Sequence, residues 1–252
     1  MLLAKRVLNP DPESIAVPKP DVIFIHGTGS NSQMWESQAA ALSDLGHRCF
    51  LIDLRGHGGS PEPYEPTNID LHLADMRETL EQSDARYPAI FVGHSLGAII
   101  SMELAERHPE MFGEIMAAGM PGRVFAIVVF LFQIILLFPY EKLRDTRLHQ
   151  MMPWRLHTLV KTDRFTLLQI VENFKELNYV DRTFNVSCPV HFSVGRFDPV
   201  APCVYVKEMH RKLPQSTLRI FEFAGHNFMD QYAPQFNEWL IGSLLPDAHQ
   251  TN

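Results

Sequence analysis

Phe91-Val92-Gly93-His94-Ser95-Leu96-Gly97-Ala98 sets a serine between two glycines, immediately after one kind of segment and immediately before another. Upstream lies a short run without a polar residue, Ala89 to Val92; downstream, Leu96 to Arg107 has helical spacing. An unbroken apolar run is the mark of a parallel strand covered by helices on both faces, because such a strand has no wet side toward which to alternate. Ser95 therefore stands at a sharp strand-to-helix turn. Side chains at positions 93 and 97 would collide across that turn, and the small Ala98 keeps the helix close to the strand. The turn also leaves the Leu96 N–H at a helix N-terminus, aimed where negative charge can develop.

Working outward, similar apolar runs occur at Val22–Ile25, Cys49–Ile52, Ile115–Ala118, Val190–Val194 and Leu218–Phe223. Between them lie segments with helical spacing: Leu71, Ala74 and Met76 before Leu80, then Leu96 to Arg107, then Val204 to Leu213. This alternation predicts an α/β fold with a doubly wound, mostly parallel sheet. The proline-rich first 20 residues have room for one or two short edge strands at most. One stretch, Met120 to Ser187, is far longer than a crossover helix needs. It is expected to be an inserted, mainly helical cap over 120–187, leaving 1–119 and 188–252 as the catalytic domain. Within it, Pro121, Pro139 and Pro153 act as breakers, Val124 to Phe138 is an apolar run, and Phe165 to Leu177 is a further helix.

A serine nucleophile needs a base, an acid to orient the base, and donors for an oxyanion. Ile25-His26-Gly27-Thr28-Gly29 follows the first core strand, where the Thr28 N–H, with its hydroxyl, is the candidate second oxyanion donor beside Leu96. Gly195-Arg196-Phe197-Asp198-Pro199 and Ala224-Gly225-His226-Asn227 each end a strand candidate. Asp198 comes 103 residues after Ser95 and His226 a further 28 on, so the order is serine, acid, histidine. All of these segments sit at the carboxyl ends of strands, where open parallel sheets gather their functional loops. The candidate catalytic residues are Ser95 as nucleophile, His226 as general base and Asp198 as the acid that fixes the imidazole. His26 and His57, in glycine-rich turns, are expected to hold loops together, and His94 to point away from Ser95. Asp53 is expected to make a structural ion pair or turn bond.

Together with Asp53-Leu54-Arg55-Gly56-His57-Gly58-Gly59-Ser60, these residues resemble the α/β-hydrolase fold family, in particular the branch of esterases and lipases carrying Gly-His-Ser-x-Gly. The resemblance covers nearly the whole chain apart from the insertion. It departs from the commonest pattern at Ala98, where glycine often follows, and at Gly29, where proline often stands. Ser95 in the elbow sets the chain apart from the family's aspartate-nucleophile dehalogenases and epoxide hydrolases. The resemblance implies hydrolysis of a carboxylic ester through an acyl-enzyme, with no metal or organic cofactor. Thioesterases, amidases, carbon–carbon bond hydrolases and cofactor-free perhydrolases share the same three residues, and a ligand-binding receptor can retain them with slow turnover.

Composition narrows the remaining classes. With 252 residues the chain is long enough for one sizeable domain, and 46% apolar with 20% charged residues is an ordinary globular balance. A net charge of -7 with scattered Lys and Arg gives no reason to bind nucleic acid. Cys49, Cys188 and Cys203 are odd in number and far apart, which argues against zinc and redox motifs. Met1-Leu2-Leu3-Ala4-Lys5-Arg6 has no signal-peptide run, so a cytoplasmic protein is expected. In the insertion, Val124 to Phe138 has one polar residue, Gln133, and no polar face. As a helix it would be about 22 Å long, short of a roughly 30 Å hydrocarbon core. Two uses follow: packing alone, or lining a pocket for a lipophilic ester, with Val128 and Leu131 toward Ser95. In the second case the cap is also expected to touch membrane surfaces transiently, flanked by Arg123, Glu141 and Lys142.

Overall fold

Seven strands form one sheet in the computed structural model, which describes residues 1–11, 18–138, 140–143, 146–147 and 151–244. They are β1 (Lys5–Leu8), β2 (Val22–Ile25), β3 (Cys49–Ile52), β4 (Ala89–His94), β5 (Phe112–Ala118), β6 (Val190–Gly195) and β7 (Ser216–Phe221). Their order is β1-β3-β2-β4-β5-β6-β7; β1 runs antiparallel to β3 at one edge, and every other pairing is parallel. Helices α1 (Glu36–Asp44) and α9 (Ala233–Ser243) cover one face; α2 (Ile69–Glu81), α3 (Leu96–Arg107) and α7 (Cys203–Lys212) cover the other. Alternate residues of each central strand enter the two layers: Ile23, Ile25, Phe50, Ile52 and Phe91 on one side, Val22, Phe24, Cys49, Leu51 and Val92 on the other. Burial on both faces is the reason these strands read as unbroken apolar runs. Cys49, Cys188 and Cys203 are buried free thiols, and burial pushes the Cys49 thiol up to about 12.

Pairing, not hydropathy, sets several element ends. β7 spans Ser216–Phe221 rather than the expected Leu218–Phe223, because its ladder with β6 runs from Val190 opposite Ser216 to Gly195 opposite Phe221. Phe223 lies beyond that ladder and is exposed. β5 starts at Phe112, three residues before the apolar run, since Phe112 pairs with Ala89 across an irregular register. The expected buried face of α2 is also corrected. Ala74 is exposed, and the covered side carries His72, Asp75 and Thr79 beside Leu73, Met76 and Leu80. Two of those polar groups are partnered from outside the helix: Asp75 binds the Arg55 Nε at 2.8 Å and the Thr79 hydroxyl accepts from the Leu3 N–H at 2.9 Å.

Strand order locates the site. From β2 the chain steps to β3 on one side, then crosses back to β4 on the other, so the sheet's switch point lies between β2 and β4, with Ile25 opposite Gly93. The loops leaving those two strands are thereby side by side, at the crevice where doubly wound sheets bind ligands.

Between β5 and β6 the chain forms α4 (Ala126–Leu137), a 3-10 turn (Tyr140–Leu143), α5 (Trp154–Lys161) and α6 (Arg164–Asn173). Of the three expected breakers, Pro121 lies in the irregular stretch between β5 and α4, Pro153 precedes α5 directly, and Pro139 lies outside the described residues. α6 begins where the Asp163 side chain accepts from the Thr166 N–H at 2.6 Å, an N-cap that the apolar pattern from Phe165 to Leu177 places only approximately. The Asp163 N–H donates to the Gly56 carbonyl at 3.0 Å and seats α6 on the loop below; the Thr158 hydroxyl of α5 shares its proton between the Arg155 carbonyl at 2.9 Å and the Gly29 carbonyl at 3.3 Å.

Candidate active site

Ser95 is the only non-glycine residue with positive φ among the described residues, at φ 52° and ψ -112°. A side chain held there costs of order 1–3 kcal/mol, which the surrounding packing must offset. Its N–H donates to the Ala118 carbonyl at the end of β5, 2.9 Å away, and pins the turn. A Cβ on Gly93 would stand 2.4 Å from the Gly97 carbonyl oxygen, and one on Gly97 would stand 2.2 Å from that of Ile25. Both obstacles are backbone, which cannot step aside as a flexible side chain would. Gly97→Ala is accordingly expected to cost at least about 3 kcal/mol of stability, read as a fall in the urea midpoint. An unchanged midpoint would show that α3 has freedom to retreat from β2.

His226 follows β7 on the Ala224-Gly225 turn, and its Nδ1 lies 2.7 Å from Asp198 Oδ2. Asp198 follows β6, and its other oxygen accepts from the N–H groups of Val200 at 2.9 Å and Ala201 at 2.8 Å. A carboxylate accepting three times leaves His226 one arrangement: the proton on Nδ1 and a lone pair on Nε2. The imidazole lies over Gly119, where a Cβ would come within 3.4 Å of the ring. His94 does not simply turn away, as expected. Its ring packs against that of His226, centroids 4.6 Å apart, and its Nε2 donates to the His226 carbonyl at 3.1 Å.

Two histidines hold the loop after β2. The Leu54 N–H donates to His26 Nε2 at 2.9 Å, so the ring proton is on Nδ1 and is given to the Gly27 carbonyl at 2.8 Å. The Gly29 N–H donates to His57 Nε2 at 3.0 Å, and His57 Nδ1 donates to the Arg55 carbonyl at 2.8 Å. With Gly27 and Gly29 fixed on either side, neither the Thr28 N–H nor its buried hydroxyl has a partner among the described residues. The Leu96 N–H at the start of α3 likewise has no partner among the described residues. Asp53 makes turn bonds, accepting from the Ser32 and Gly59 N–H groups at 2.7 and 2.8 Å; the ion pair of Arg55 is with Asp75.

These latches work only as neutral rings, and burial holds them so. It pushes His57 down to about 3 and lowers His26, His72 and His94 below the ordinary histidine value. A depressed folded value means that below pH 6.5 the unfolded chain takes up protons that the folded chain refuses, so stability falls as pH falls. Between pH 7 and 5 the His57 ring is expected to withdraw about 2 kcal/mol, with His26, His72 and His94 acting in the same direction. Urea midpoints should drop steadily over that range; a flat profile would mean that the rings are protonated in the folded state.

Ser95, His226 and Thr28 open into a cavity of about 250 Å³, roofed by Phe132 and Leu136 of α4, Leu159 of α5, and Leu167 and Val171 of α6. Val128 and Leu131, the expected pocket positions, are not in this wall. The phase of α4 is set by buried Val129 and Leu136, which leaves Leu131 half exposed on the far side. One lining residue has no signal in the sequence: Arg155, the charged member of an otherwise largely apolar wall. Its Nε donates to Asp230 at 2.6 Å, joining α5 to α8 (Phe228–Gln231), the helix just after His226.

The Alpha/beta hydrolase family model matches residues 22–239. A protein named putative carbamate hydrolase RutD, from Escherichia coli O157:H7, is 25% identical over 267 aligned positions, covering 97% of each chain. Among solved structures, an esterase from Exiguobacterium antarcticum superposes with a TM-score of 0.81 at 18% identity, covering 96% of this chain and 94% of that one. The enol-lactonase from Burkholderia xenovorans LB400 gives 0.77 at 20%, covering 95% of both. With strand order, elbow and loop placement in agreement with a match across most of its length, this chain belongs to the alpha/beta hydrolase family.

Proposed function

We propose that this protein is a serine hydrolase that cleaves carboxylic esters bearing a lipophilic acyl or alcohol group, through an acyl-enzyme. The observation that supports this reading is that Ser95 and His226, the latter with its Nδ1 2.7 Å from Asp198, both line one cavity whose roof is apolar. In the first step His226 Nε2 takes the proton from Ser95 Oγ as it attacks the ester carbonyl, and Asp198 stabilises the imidazolium that forms. The N–H groups of Leu96 and Thr28 bind the oxyanion, with the Thr28 hydroxyl as a further donor. The proton on His226 passes to the departing alkoxide, leaving the acyl-enzyme. Water then attacks the acyl carbonyl as His226 takes its proton, the Ser95–acyl bond breaks, His226 returns the proton to Ser95 Oγ, and the acid leaves. The insertion serves as a cap that keeps bulk water from the acyl group. No step calls for a metal or cofactor.

Each methylene entering the apolar roof contributes up to about 0.8 kcal/mol, or roughly fourfold in kcat/KM. A panel of aryl esters graded by acyl length is therefore expected to show kcat/KM rising from acetate to medium chains. Phe132→Asp should lower it for the longer esters more than for acetate. A flat or falling profile, unaltered by that substitution, would contradict a lipophilic pocket. Thioesters and aryl carbamates belong in the same panel. The relative named for carbamate hydrolysis favours carbamate as the second reading, and faster turnover of carbamates than of any ester would establish it. Steady multiple turnover excludes a receptor that is acylated once.

A further inference from the structure

α4 inverts the usual pattern of a surface helix. Eleven of its twelve residues are apolar, yet only Val129 and Leu136 are buried. Ile127, Phe130, Leu131, Ile134 and Leu137, with Phe138 just beyond, are each between 47% and 67% exposed. The one polar side chain, Gln133, is turned toward the protein, donating to Glu172 of α6 at 2.7 Å. The other helices of the insertion add exposed Trp154, Leu156 and Phe165. A patch of this extent on a soluble protein marks a surface that something covers.

Charge distinguishes the candidates. Residues 120–187 hold nine Lys and Arg against six Asp and Glu, whereas the rest of the chain holds thirteen against twenty-three. The insertion is thus the basic end of an acidic molecule. A second copy docking face to face would bring two basic ends together; an anionic lipid surface would attract this end and repel the remainder. Exposed Lys142 stands just beyond the C-terminal end of α4, where its stem can lie along the apolar surface with the charge at headgroup level; Arg123, before the other end, is exposed and shares its charge with Asp181 at 2.8 Å. Twelve residues span about 18 Å, too short to cross a bilayer, so such a helix lies in its plane. No helix among the described residues is long and apolar enough to cross a membrane.

We propose that α4 is a docking helix that seats the protein on anionic lipid bilayers, with its exposed apolar side in the boundary between headgroups and acyl chains. Its other side, through Phe132 and Leu136, roofs the cavity over Ser95, so a lipid-embedded ester leaving the bilayer at α4 meets the pocket directly. This delivery role rests on the hydrolase reading; docking itself does not.

The test is flotation of the full chain with vesicles of phosphatidylcholine alone or containing about one-third phosphatidylserine. The protein is expected to float with the anionic vesicles, at least about tenfold more tightly than with neutral ones, and to be released by salt. Combining Ile127→Gln, Leu131→Gln and Ile134→Gln, none of them a cavity residue, should weaken binding by at least about tenfold while turnover of a water-soluble acetate ester stays within about twofold. Leu131→Trp provides a measurement that leaves the fold and the patch intact: its fluorescence, relative to wild type, should shift to shorter wavelength on vesicles and be quenched by brominated lipid. Wild type remaining in the aqueous fraction, a triple variant that floats as well as wild type, or no spectral change would overturn the proposal. So would a wild-type dimer that the triple variant dissolves, with no vesicle binding, since α4 would then be an interface between copies. If the hydrolase reading alone is wrong, ester turnover fails and flotation persists.

Discussion

Ser95→Ala is expected to lower kcat by roughly a millionfold, by analogy with the removal of the nucleophile from a serine protease, while leaving the thermal midpoint nearly unchanged. The two halves have separate physical causes. On the proposed mechanism the hydroxyl forms the acyl bond, and the oxyanion donors cannot replace it. Structurally the same hydroxyl is idle: the turn is held by the Ser95 N–H to Ala118, by Gly93 and Gly97, and by the close contact of α3 with β2. Alanine keeps a Cβ at the same positive φ, so backbone strain is unaltered. Aryl ester kinetics with a parallel thermal melt checks both halves; residual turnover near wild type would remove Ser95 from the chemistry.

Asp198→Asn should cost about ten thousandfold in turnover at almost constant geometry, as in the serine-protease case. One carboxylate oxygen already accepts from Val200 and Ala201, and only the amide oxygen of asparagine can take over those two bonds. The NH2 group is then directed at His226 Nδ1, which must accept, so the imidazole proton moves to Nε2 and faces Ser95. The base is lost by tautomer, not by displacement. Asp53→Asn is the contrast: it weakens charge-assisted bonds from Ser32 and Gly59, and should lower stability by about 1–3 kcal/mol with little effect on rate. Measuring kcat and the urea midpoint for both variants separates the roles, and an exchange of the two phenotypes would mean that Asp53 is the acid.

How far the sequence is legible depends on whether a feature is local. The elbow is, because Gly93, Ser95 and Gly97 meet one steric demand within five residues, and α3 begins and ends where Leu96 and Arg107 suggest. The loop histidines are legible for a similar reason: a histidine in a glycine-rich turn has few neighbours except backbone to bond. Features set by distant partners are not. The covered face of α2 contains His72, Asp75 and Thr79 because Arg55 and Leu3 arrive from elsewhere, and no period in the helix records that. Arg155 has the same history, its place in the wall being fixed by Asp230, 75 residues away. For α4, a run with a single polar residue carries little phase information, so Leu131 and Phe132 look alike in sequence although only Phe132 lines the cavity.

The central claim, that Ser95 is a nucleophile activated by His226 and Asp198, is tested most directly by covalent capture. The wild-type protein is treated with an alkyl fluorophosphonate, digested, and the modified peptide located by mass spectrometry. The account predicts stoichiometric labelling at Ser95, concurrent loss of ester hydrolysis, no labelling of Ser95→Ala, and labelling of Asp198→Asn that is slower by orders of magnitude. Labelling at another residue with Ser95 untouched, or full labelling at Ser95 that leaves hydrolysis intact, would contradict it.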